Sequence, residues 1–337
     1  MNTVNTLAGA IASPAEPGWA AAIIASRESL ATVTECVAGV AAASRFAGVA
    51  TTIDLVVNGN HALAQQAGAL ASSLVDGVQV RVWSISRGDK ANAWNEYVHT
   101  IWAGARTTFF VDGYVRVNPD ALRILDQALR DHPECLAATG VPTEGRTATA
   151  HRNSMIAGGG IHGNMHAIRQ SAMEQIRRID FRLPVGLYRT DSLIGGAMAF
   201  QFAPAQCAWN VRLCFVAATA SWSLINMPTG IYAILSTYWK RKLRQAQGQL
   251  ENLAVQEHMA FKLRPPQELA RCNKNMVLQY VRDNPAKVRK IIFKNPLVGY
   301  ALYKVRNGAA VSAIPSITRQ LRGSDPVLSQ GVSDGVH

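Results

Sequence analysis

Short apolar runs alternate with longer segments of helical periodicity over the first part of the chain. The runs lie at residues 21–26, 52–57, 78–83, 107–111 and 136–141. Between them, apolar residues recur at three- and four-residue spacing, which is typical of amphipathic helices. Strands separated by helices of about 10–15 residues indicate βαβ units, because a parallel strand pair needs a crossover connection. The pattern predicts an α/β fold with a Rossmann-like, mostly parallel sheet.

The same periodicity predicts where the helices lie. Ser26 is expected to cap the first helix, which extends to about Phe46, and Pro119 suits the first turn of another. Further helices are expected at residues 61–74, 90–103, 165–178 and 232–260. The loops that follow the first four strands are 26–28, 58–60, 87–90 and 112–114. Ligands of parallel sheets bind beyond the carboxyl ends of the strands, so these loops are predicted to form a binding site.

The charge of the chain is concentrated near its end. Residues 262–322 contain 13 Lys or Arg against Glu268 and Asp283, a net +11 out of +12 for the 337 residues. This asymmetry predicts an anionic partner such as a membrane surface, a polyanionic acceptor or nucleic acid. A segment that alternates apolar and basic residues, 287–304, favours the membrane surface, although a merely solvated face remains an alternative.

Composition narrows the class of protein. Apolar residues make up 48% of the chain, which excludes a disordered protein. The five cysteines are scattered without close pairs, so a reducing compartment is expected rather than a disulfide framework or a zinc site. No uninterrupted apolar stretch reaches the roughly 20 residues that span a bilayer. We expect a cytoplasmic protein that is peripheral at the inner face of the membrane.

Five short segments, in this order, carry a resemblance. They are SRGDKANAWN (86–95), FFVDGYVRVNPDAL (109–122), GGGIHGNMHAI (158–168), RTDSLIG (189–195) and RKLRQAQG (241–248). They resemble, respectively, the Gly-Lys-Ala-x-Ala-Leu-Asn, Asp-x-Asp, acceptor-loop, Glu-Asp and Gln-x-x-Arg-Trp-x-x-Gly segments of the family 2 glycosyltransferases of the GT-A fold. The resemblance implies a GT-A domain at 19–250. Outside it we expect a flexible leader at 1–18, a basic helical extension at 251–322 and a disordered tail at 323–337.

The resemblance also implies roles for individual residues. Asp191 stands at the position of the catalytic carboxylate, which would deprotonate an acceptor hydroxyl and invert the configuration of the sugar. The donor, a nucleotide-diphosphate sugar, would be bound by Ser26, Glu28, Asn58, Lys90, Asp112, Gly113 and Arg244. The acceptor, a hydroxyl group on a lipid-linked molecule or a polysaccharide, would meet Gly159, Gly160, His162 and Asn164. Asn58 stands where the family binds uracil, which makes a UDP-sugar the default donor.

One departure from the family pattern concerns a metal. The family's Mg²⁺ or Mn²⁺ is held through Asp-x-Asp, and the second Asp is Tyr114 here. A phenol is a poor ligand for a hard cation, so only Asp112 is left as a ligand and a conventional site is doubtful. We expect cationic side chains to replace part of the charge of the metal, with Lys90, Arg116, Arg189 and Arg244 as candidates.

Simpler interpretations stay open for these residues. Asp112 can cap a turn, Asp191 can stabilise a helix N-terminus, and Lys90 can be solvated. His151, His162 and His166 match no common metal-site spacing. Two other functions also stay open: a nucleotide-sugar-binding pseudo-enzyme, which Tyr114 and Thr190 would permit, and a nucleic-acid-binding protein. No nucleic-acid partner is expected, because the basic segment has no recognised reading motif.

Overall fold

The strands of the described residues form one nine-stranded sheet. The structure is a computed structural model that describes residues 18–71, 77–144, 148–225, 231–308 and 316–321, with the backbone alone for 231–237. The strands are β1 (Trp19–Ala25), β2 (Thr51–Asn58), β3 (Val78–Ile85), β4 (Thr107–Asp112), β5 (Val115–Val117), β6 (Ala137–Pro142), β7 (Met165–Arg169), β8 (Cys214–Leu224) and β9 (Thr318–Leu321). Their order in the sheet is β5-β8-β6-β7-β4-β1-β2-β3-β9.

Four parallel strands form the part of the sheet on which the site is built. β1 pairs in parallel with β2 and with β4, and β2 pairs in parallel with β3. β5, β7 and β9 pair only antiparallel to their neighbours, but most of the paired residues belong to parallel pairings. Ile24 lies opposite Asp112, and Asn58 lies opposite Ile85, so the carboxyl ends of all four strands meet at one edge. The predicted Rossmann-like α/β fold with C-terminal helices is confirmed.

Helices cover both faces of the sheet. They are α1 (Leu30–Ala47), α2 (His61–Ala67), α3 (Lys90–Glu96), α4 (Ala121–Asp131), α5 (Ala148–Gly158), α6 (Gln170–Arg178), α7 (Thr190–Ala199), α8 (Ile231–Gln256), α9 (Asn273–Asp283), α10 (Pro285–Lys294) and α11 (Pro296–Asn307). Single π-helical turns, Tyr97–Ile101 and Glu257–Phe261, extend α3 and α8. One apolar cluster joins the sheet to α1 and α4, and a second joins it to α3, α6, α7 and the helices from α8 onward.

In the described part of the chain, one helix is long and apolar enough to cross a membrane by length and composition. It is α1, with 18 residues. Val33, Cys36 and Val40 on this helix are fully buried against the sheet. The composition of α1 is therefore explained by its place in the core.

The structure corrects three of the expectations. Residues 165–178 are not one helix: β7 occupies Met165–Arg169, and α6 begins at Gln170. Ser26 does not cap α1, because Ser29 accepts from the backbone N–H of Thr32, whereas the Ser26 N–H donates to Glu28. The helix expected at 61–74 ends at Ala67 and continues as a 3₁₀ turn to Leu70.

The helices after the sheet pack on one another and on α8. Leu250 and Ala254 of α8 are buried together with Val277 of α9 and Val298 of α11. The chain then returns to the sheet as β9, which no sequence pattern predicted. The proposed division at residue 250 lies within α8. Most of the predicted leader and all of the predicted disordered tail lie outside the described residues.

Candidate functional site

A small pocket opens at the carboxyl ends of β1 and β4, where α3 and α7 begin. Three predicted site residues, Lys90, Asp112 and Asp191, line it together. The other residues of its wall are Ile24, Trp94, Phe110, Val111, Gly163, His166, Thr190 and Ile194. The enclosed volume is about 10 Å³, room for about one water molecule. The pocket therefore joins a lysine and two carboxylates at the edge of the sheet where a ligand is expected.

Asp112 is held on both of its carboxylate oxygens. Lys90 Nζ lies 2.5 Å from Oδ1, and the Tyr114 hydroxyl donates to Oδ2 at 2.8 Å. The Asp112 side chain is 7% exposed and that of Lys90 is 39% exposed, so the ion pair faces the opening from its lysine side. Burial, reinforced by the neighbouring Asp112 charge, raises the pKa of Tyr114 far above its usual value. Tyr114 therefore remains a neutral hydrogen-bond donor to Asp112.

Asp191 lies in the first turn of α7, where the helix dipole favours a negative charge. A Cβ built on Gly163 would lie 3.6 Å from the Asp191 carboxylate, so this glycine keeps the carboxylate accessible from the acceptor-loop side. No hydrogen bond or ion pair of Asp191 is found within the described residues. The pocket thus contains one carboxylate with a cation and one without a partner.

The loops of the first two strands are tied to each other. Glu28 accepts from the backbone N–H groups of Ser26 and Arg27, at 2.6 and 2.8 Å. The Ser26 hydroxyl donates to the Asn58 carbonyl, and Asn58 Nδ2 donates to the Ala25 carbonyl, both at 2.8 Å. A Cβ on Gly113 would lie 2.8 Å from the Ala25 Cβ, so only glycine fits where β4 turns past β1. The predicted donor residues Ser26, Glu28 and Asn58 therefore form one hydrogen-bonded rim, and Gly113 packs against it at Ala25.

Two arginines meet at Tyr188, just before α7. The guanidinium carbons of Arg189 and Arg244 each lie 5.9 Å from the centroid of the Tyr188 ring. A Cβ on Gly248 would lie 2.7 Å from Arg189 Nε, so the glycine of the fifth motif makes room for the arginine of the fourth. Arg189 Nε is buried without a hydrogen-bond partner within the described residues. Neither guanidinium has an acidic partner there, which suits an anionic ligand.

Arg116 does not belong to this group of cations. It forms an ion pair with Glu35 at 2.5 Å, and both side chains are nearly half exposed. The predicted role of Arg116 as a replacement for the charge of a metal is therefore not supported by its position, whereas Lys90, Arg189 and Arg244 remain candidates.

The acceptor loop, residues 158–164, packs against the end of β4. Gly159 and Gly160 have φ values of +68° and +96°, which favour glycine. The Asp112 N–H donates to the Asn164 carbonyl at 3.0 Å. The His162 N–H donates to Thr139 Oγ1 at 3.1 Å, and the His162 ring lies 4.8 Å from the His151 ring. The loop is thus fixed at His162 and Asn164, and Gly163 between them lies beside Asp191.

His162 and His166 are neutral at this position. Burial lowers the pKa of each to about 4. The Asp191 charge opposes the shift at His162, and the hydrogen bond to the His162 carbonyl opposes it at His166. His166 Nδ1 lies 3.0 Å from the His162 carbonyl oxygen, which can only accept, so the proton is on Nδ1. His166 Nε2 is then a buried acceptor, and it has no partner within the described residues. Sequence spacing offered no signal for this acceptor, which depends on the burial of His166 beneath the pocket.

Glu251 of α8 is a second residue that sequence reasoning missed. It is fully buried and accepts from the backbone N–H groups of Tyr188 and Arg189 at 3.0–3.1 Å. Gln247 Nε2 and Asn273 Nδ2 donate to it at 2.7 and 2.8 Å. Burial raises the pKa of Glu251, and these donors oppose the shift. Glu251 therefore joins α8 and α9 to the segment that begins α7.

The donor set around Asp112 does not fit a hard divalent cation. Both carboxylate oxygens already face a lysine and a phenol, and a cation would have to displace them. Across residues 18–71, 77–144, 148–225, 231–308 and 316–321, no group of three or more His, Cys, Asp or Glu side chains is placed to hold a metal ion. His151, His162 and His166 are the histidines that the sequence analysis considered for a metal. The rings of His151 and His162 contact each other in the structure.

The fold is shared with a solved mannosyltransferase. A mannosyltransferase from Pyrobaculum calidifontis, PcManGT, solved with GDP-Man and Mn²⁺, is similar with a TM-score of 0.51 and 12% identity over 86% of each chain. S. aureus TarS, solved with UDP-GlcNAc, is 11% identical over 85% of this chain and 80% of its own, with a TM-score of 0.44. No protein-family model and no curated protein matches the sequence significantly. At this identity the likeness to the mannosyltransferase establishes the fold.

Proposed function

We propose that the chain is a glycosyltransferase that moves a sugar from a nucleotide-diphosphate sugar to an acceptor hydroxyl. One observation carries the proposal. Asp112, neutralised by Lys90, and Asp191, without a partner, line the same pocket at the carboxyl ends of parallel strands. A transfer of this kind needs an unpaired base for the acceptor and positive charge for the leaving group. The fold shared with a mannosyltransferase and the five ordered motifs support the same activity.

In the proposed reaction, Asp191 accepts the proton of the acceptor hydroxyl. The oxygen attacks the anomeric carbon as the bond from that carbon to the diphosphate oxygen breaks, and the configuration inverts. The nucleoside diphosphate leaves with the electron pair of that bond. Lys90, Arg189 and Arg244 supply positive charge to the leaving group, as preorganised donors do in a site of low dielectric constant.

The nucleobase would meet the rim formed by Ser26, Glu28 and Asn58. Because Asn58 Nδ2 donates to the Ala25 carbonyl, its Oδ1 is left as the acceptor. An acceptor at this place suits the ring N–H of uracil, and we therefore propose a UDP-sugar as the default donor. Guanine also presents a ring N–H, so a GDP-sugar is the first alternative.

We further propose that donor binding does not depend on Mg²⁺ or Mn²⁺. The support is the occupation of Asp112 by Lys90 and Tyr114. The acceptor would approach along Gly159, Gly160, His162 and Asn164, beside Asp191. Its class, a lipid-linked hydroxyl or a polysaccharide, and a cytoplasmic location are proposed from the sequence.

A thermal-shift screen against UDP-, GDP- and dTDP-sugars tests the donor site, because a ligand that binds only the folded state raises Tm by mass action. We expect a rise of several degrees with one nucleotide class, retained in EDTA. Arg189→Gln and Arg244→Gln should each reduce it, whereas Arg178→Gln, an exposed arginine at the end of α6, should not. The absence of a shift with every donor would refute the proposal, and a shift that needs Mn²⁺ would refute its metal-independent part.

A second candidate is a protein that binds the nucleotide sugar without turning it over. The observation that favours it is the occupation of both Asp112 oxygens, which fixes a residue that the resemblance assigns to the donor. Release of nucleoside diphosphate from the donor that gives the shift, with a panel of hydroxyl acceptors, separates the two. Turnover above the hydrolysis of the free donor supports the enzyme.

A further inference from the structure

Helices α10 and α11 form a corner of the molecule that we call the basic-aromatic corner, residues 285–307. It contains six Lys or Arg residues and no Asp or Glu. The basic residues are Lys287, Arg289, Lys290, Lys294, Lys304 and Arg306. A single residue, Asn295, separates the two helices, so their charges lie close together.

Large aromatic side chains of this corner lie in solvent. Phe293 is 89% exposed, Tyr303 61% and Tyr300 45%. Lys290, Phe293 and Lys294 follow helical spacing and share one face of α10, and Tyr300, Tyr303 and Lys304 do the same on α11. The opposite faces bury Val288, Val298 and Ala301 against the other helices. The exposed aromatic residues are therefore not left over from an unfilled core.

The cations of the corner are mostly uncompensated. Lys287 is the exception: it lies 3.6 Å from Glu257 and 5.8 Å from the centroid of the Phe261 ring, which is itself 73% exposed. Arg289, Lys290 and Lys294 have no acidic partner within 4 Å in the described part of the chain. Lys304 lies 5.7 Å from the ring centroid of Tyr300. The surface thus combines an unbalanced positive charge with aromatic rings at its tip.

We propose that the basic-aromatic corner binds the surface of an anionic lipid bilayer, with Phe293 inserted at the level of the headgroups and the lysines and arginines on lipid phosphates. Two features select this partner. Unpaired cations next to one another attract an anionic surface, and each adds to the binding free energy. Phe293 carries no polar atom for a phosphate or a base edge, but an exposed phenyl ring gains free energy by leaving water for the interface.

Vesicle flotation of the full chain tests the proposal. Wild-type protein should float with vesicles that contain phosphatidylglycerol and remain in the bottom fraction with pure phosphatidylcholine. Arg289→Gln/Lys290→Gln/Lys294→Gln should lower partitioning by at least ~100-fold at low salt, because each removed charge contributes separately. Phe293→Ser should lower it by about tenfold without changing its salt dependence.

Matched variants outside the corner, on α1, α4 and α6, control for net charge and exposed aromatic area. Arg45→Gln/Arg123→Gln/Arg178→Gln removes the same number of exposed cations, and Phe46→Ser removes a ring that is 61% exposed on α1. Both controls should float like the wild type. Circular dichroism melts of all variants should coincide within a few degrees, because the substituted side chains are exposed.

Three outcomes would overturn the proposal. The wild type could stay in the bottom fraction with phosphatidylglycerol vesicles. The matched charge control could lose as much binding as the triple variant of the corner, which would show a general effect of net charge. Duplex RNA or DNA, in a gel-shift assay, could bind through the same three cations while Phe293→Ser leaves every affinity unchanged, which would identify a nucleic-acid surface.

Discussion

The region around the parallel half of the sheet and helices α10 and α11 differ in whether their charged side chains are paired. Buried Asp54 of β2 is paired with Arg81 and the indole N–H of Trp83. Buried Asp126 of α4, which packs on the sheet, is paired with Arg106, Arg130 and Thr107. In α10 and α11, six cations face solvent without a balancing acid in the same segment. Isolated charge is costly to bury, so the core pairs it. Charge left unpaired at the surface or at a pocket marks where a ligand can supply the missing partner.

The candidate site contains both paired and unpaired charged side chains. Asp112 is compensated as core carboxylates are, whereas Asp191, Arg189 and Arg244 are uncompensated. Glu251 connects the halves, because it belongs to α8 and accepts from the backbone that leads into α7. The comparison predicts that a substitution at an uncompensated residue changes function more than stability. A substitution at a compensated residue should change stability more than function.

The largest effect is expected at the unpaired carboxylate. Asp191→Asn should lower turnover by about 10²–10⁴-fold, the usual contribution of a general base. The donor-induced rise in Tm should persist, because Asp191 acts on the acceptor. Asp131→Asn, at an exposed acid of α4, is the matched control and should turn over like the wild type. Full turnover of the Asp191→Asn enzyme would assign the proton transfer to another group.

The next effect tests the connection between the halves. Glu251→Ala leaves four donors without their buried acceptor and should lower the free energy of unfolding by about 3 kcal/mol or more, measured by urea denaturation. Glu174→Ala, at an exposed glutamate of α6, should stay within about 0.5 kcal/mol. Equal stabilities of the two variants would contradict the assigned role of Glu251.

A pH dependence follows from His166. Its pKa in the folded protein is lowered from 6.5 to about 4 by burial, so the unfolded chain binds the proton first as the pH falls. The stability is fully present above pH 6.5 and is lost as the pH falls towards about 4, by up to about 3 kcal/mol for this residue. His166→Asn should flatten this part of the curve of unfolding free energy against pH. An unchanged slope would show that His166 does not contribute to the loss.

The smallest effect is expected at Gly248. Gly248→Ala places a methyl group 2.7 Å from Arg189 Nε and 2.9 Å from Arg189 Cγ, so the arginine side chain must shift. The helix gains up to about 1 kcal/mol from the better propensity of alanine, so Tm should hardly fall. The donor affinity should drop about 3–10-fold, because Arg189 is displaced from its ligand. Gly68→Ala, where a Cβ meets nothing within 4 Å, is the control and should bind the donor normally.

Much of the fold was predictable because burial leaves a periodic signature. β1, β2, β4 and β6 are apolar runs that are buried on both faces, and α4 has a clear apolar stripe. β7 was misassigned because Met165–Arg169 and the helix after it form one continuous mixed segment, and only pairing with β4 and β6 separates them. β5 and β9 have three and four residues, too few for a pattern to show.

The candidate site was predictable where motif and strand end coincide. Lys90 and Asp112 were selected on that basis and Asp191 from its motif alone, and the structure brings all three to one pocket. Their roles stay predictions until the variants are measured. Glu251 was missed because α8 is rich in polar residues, and the sequence of such a helix does not distinguish a buried glutamate from an exposed one. His166 was missed as an acceptor because the choice of ring nitrogen depends on the His162 carbonyl, a contact set by tertiary structure.

The antiparallel strand β9 has a consequence for solubility. Residues 318–321 pair with Val82–Ile85 and so cover the backbone of β3, which would otherwise be the open end of the sheet. An open strand edge offers unpaired N–H and C=O groups to another chain and invites edge-to-edge aggregation. Ser316 also bonds to Asn92 and Thr318 to Glu96, which ties this cover to α3 beside Lys90. A chain cut after residue 308 should therefore associate with itself, and size-exclusion chromatography of the truncated protein would reveal oligomers.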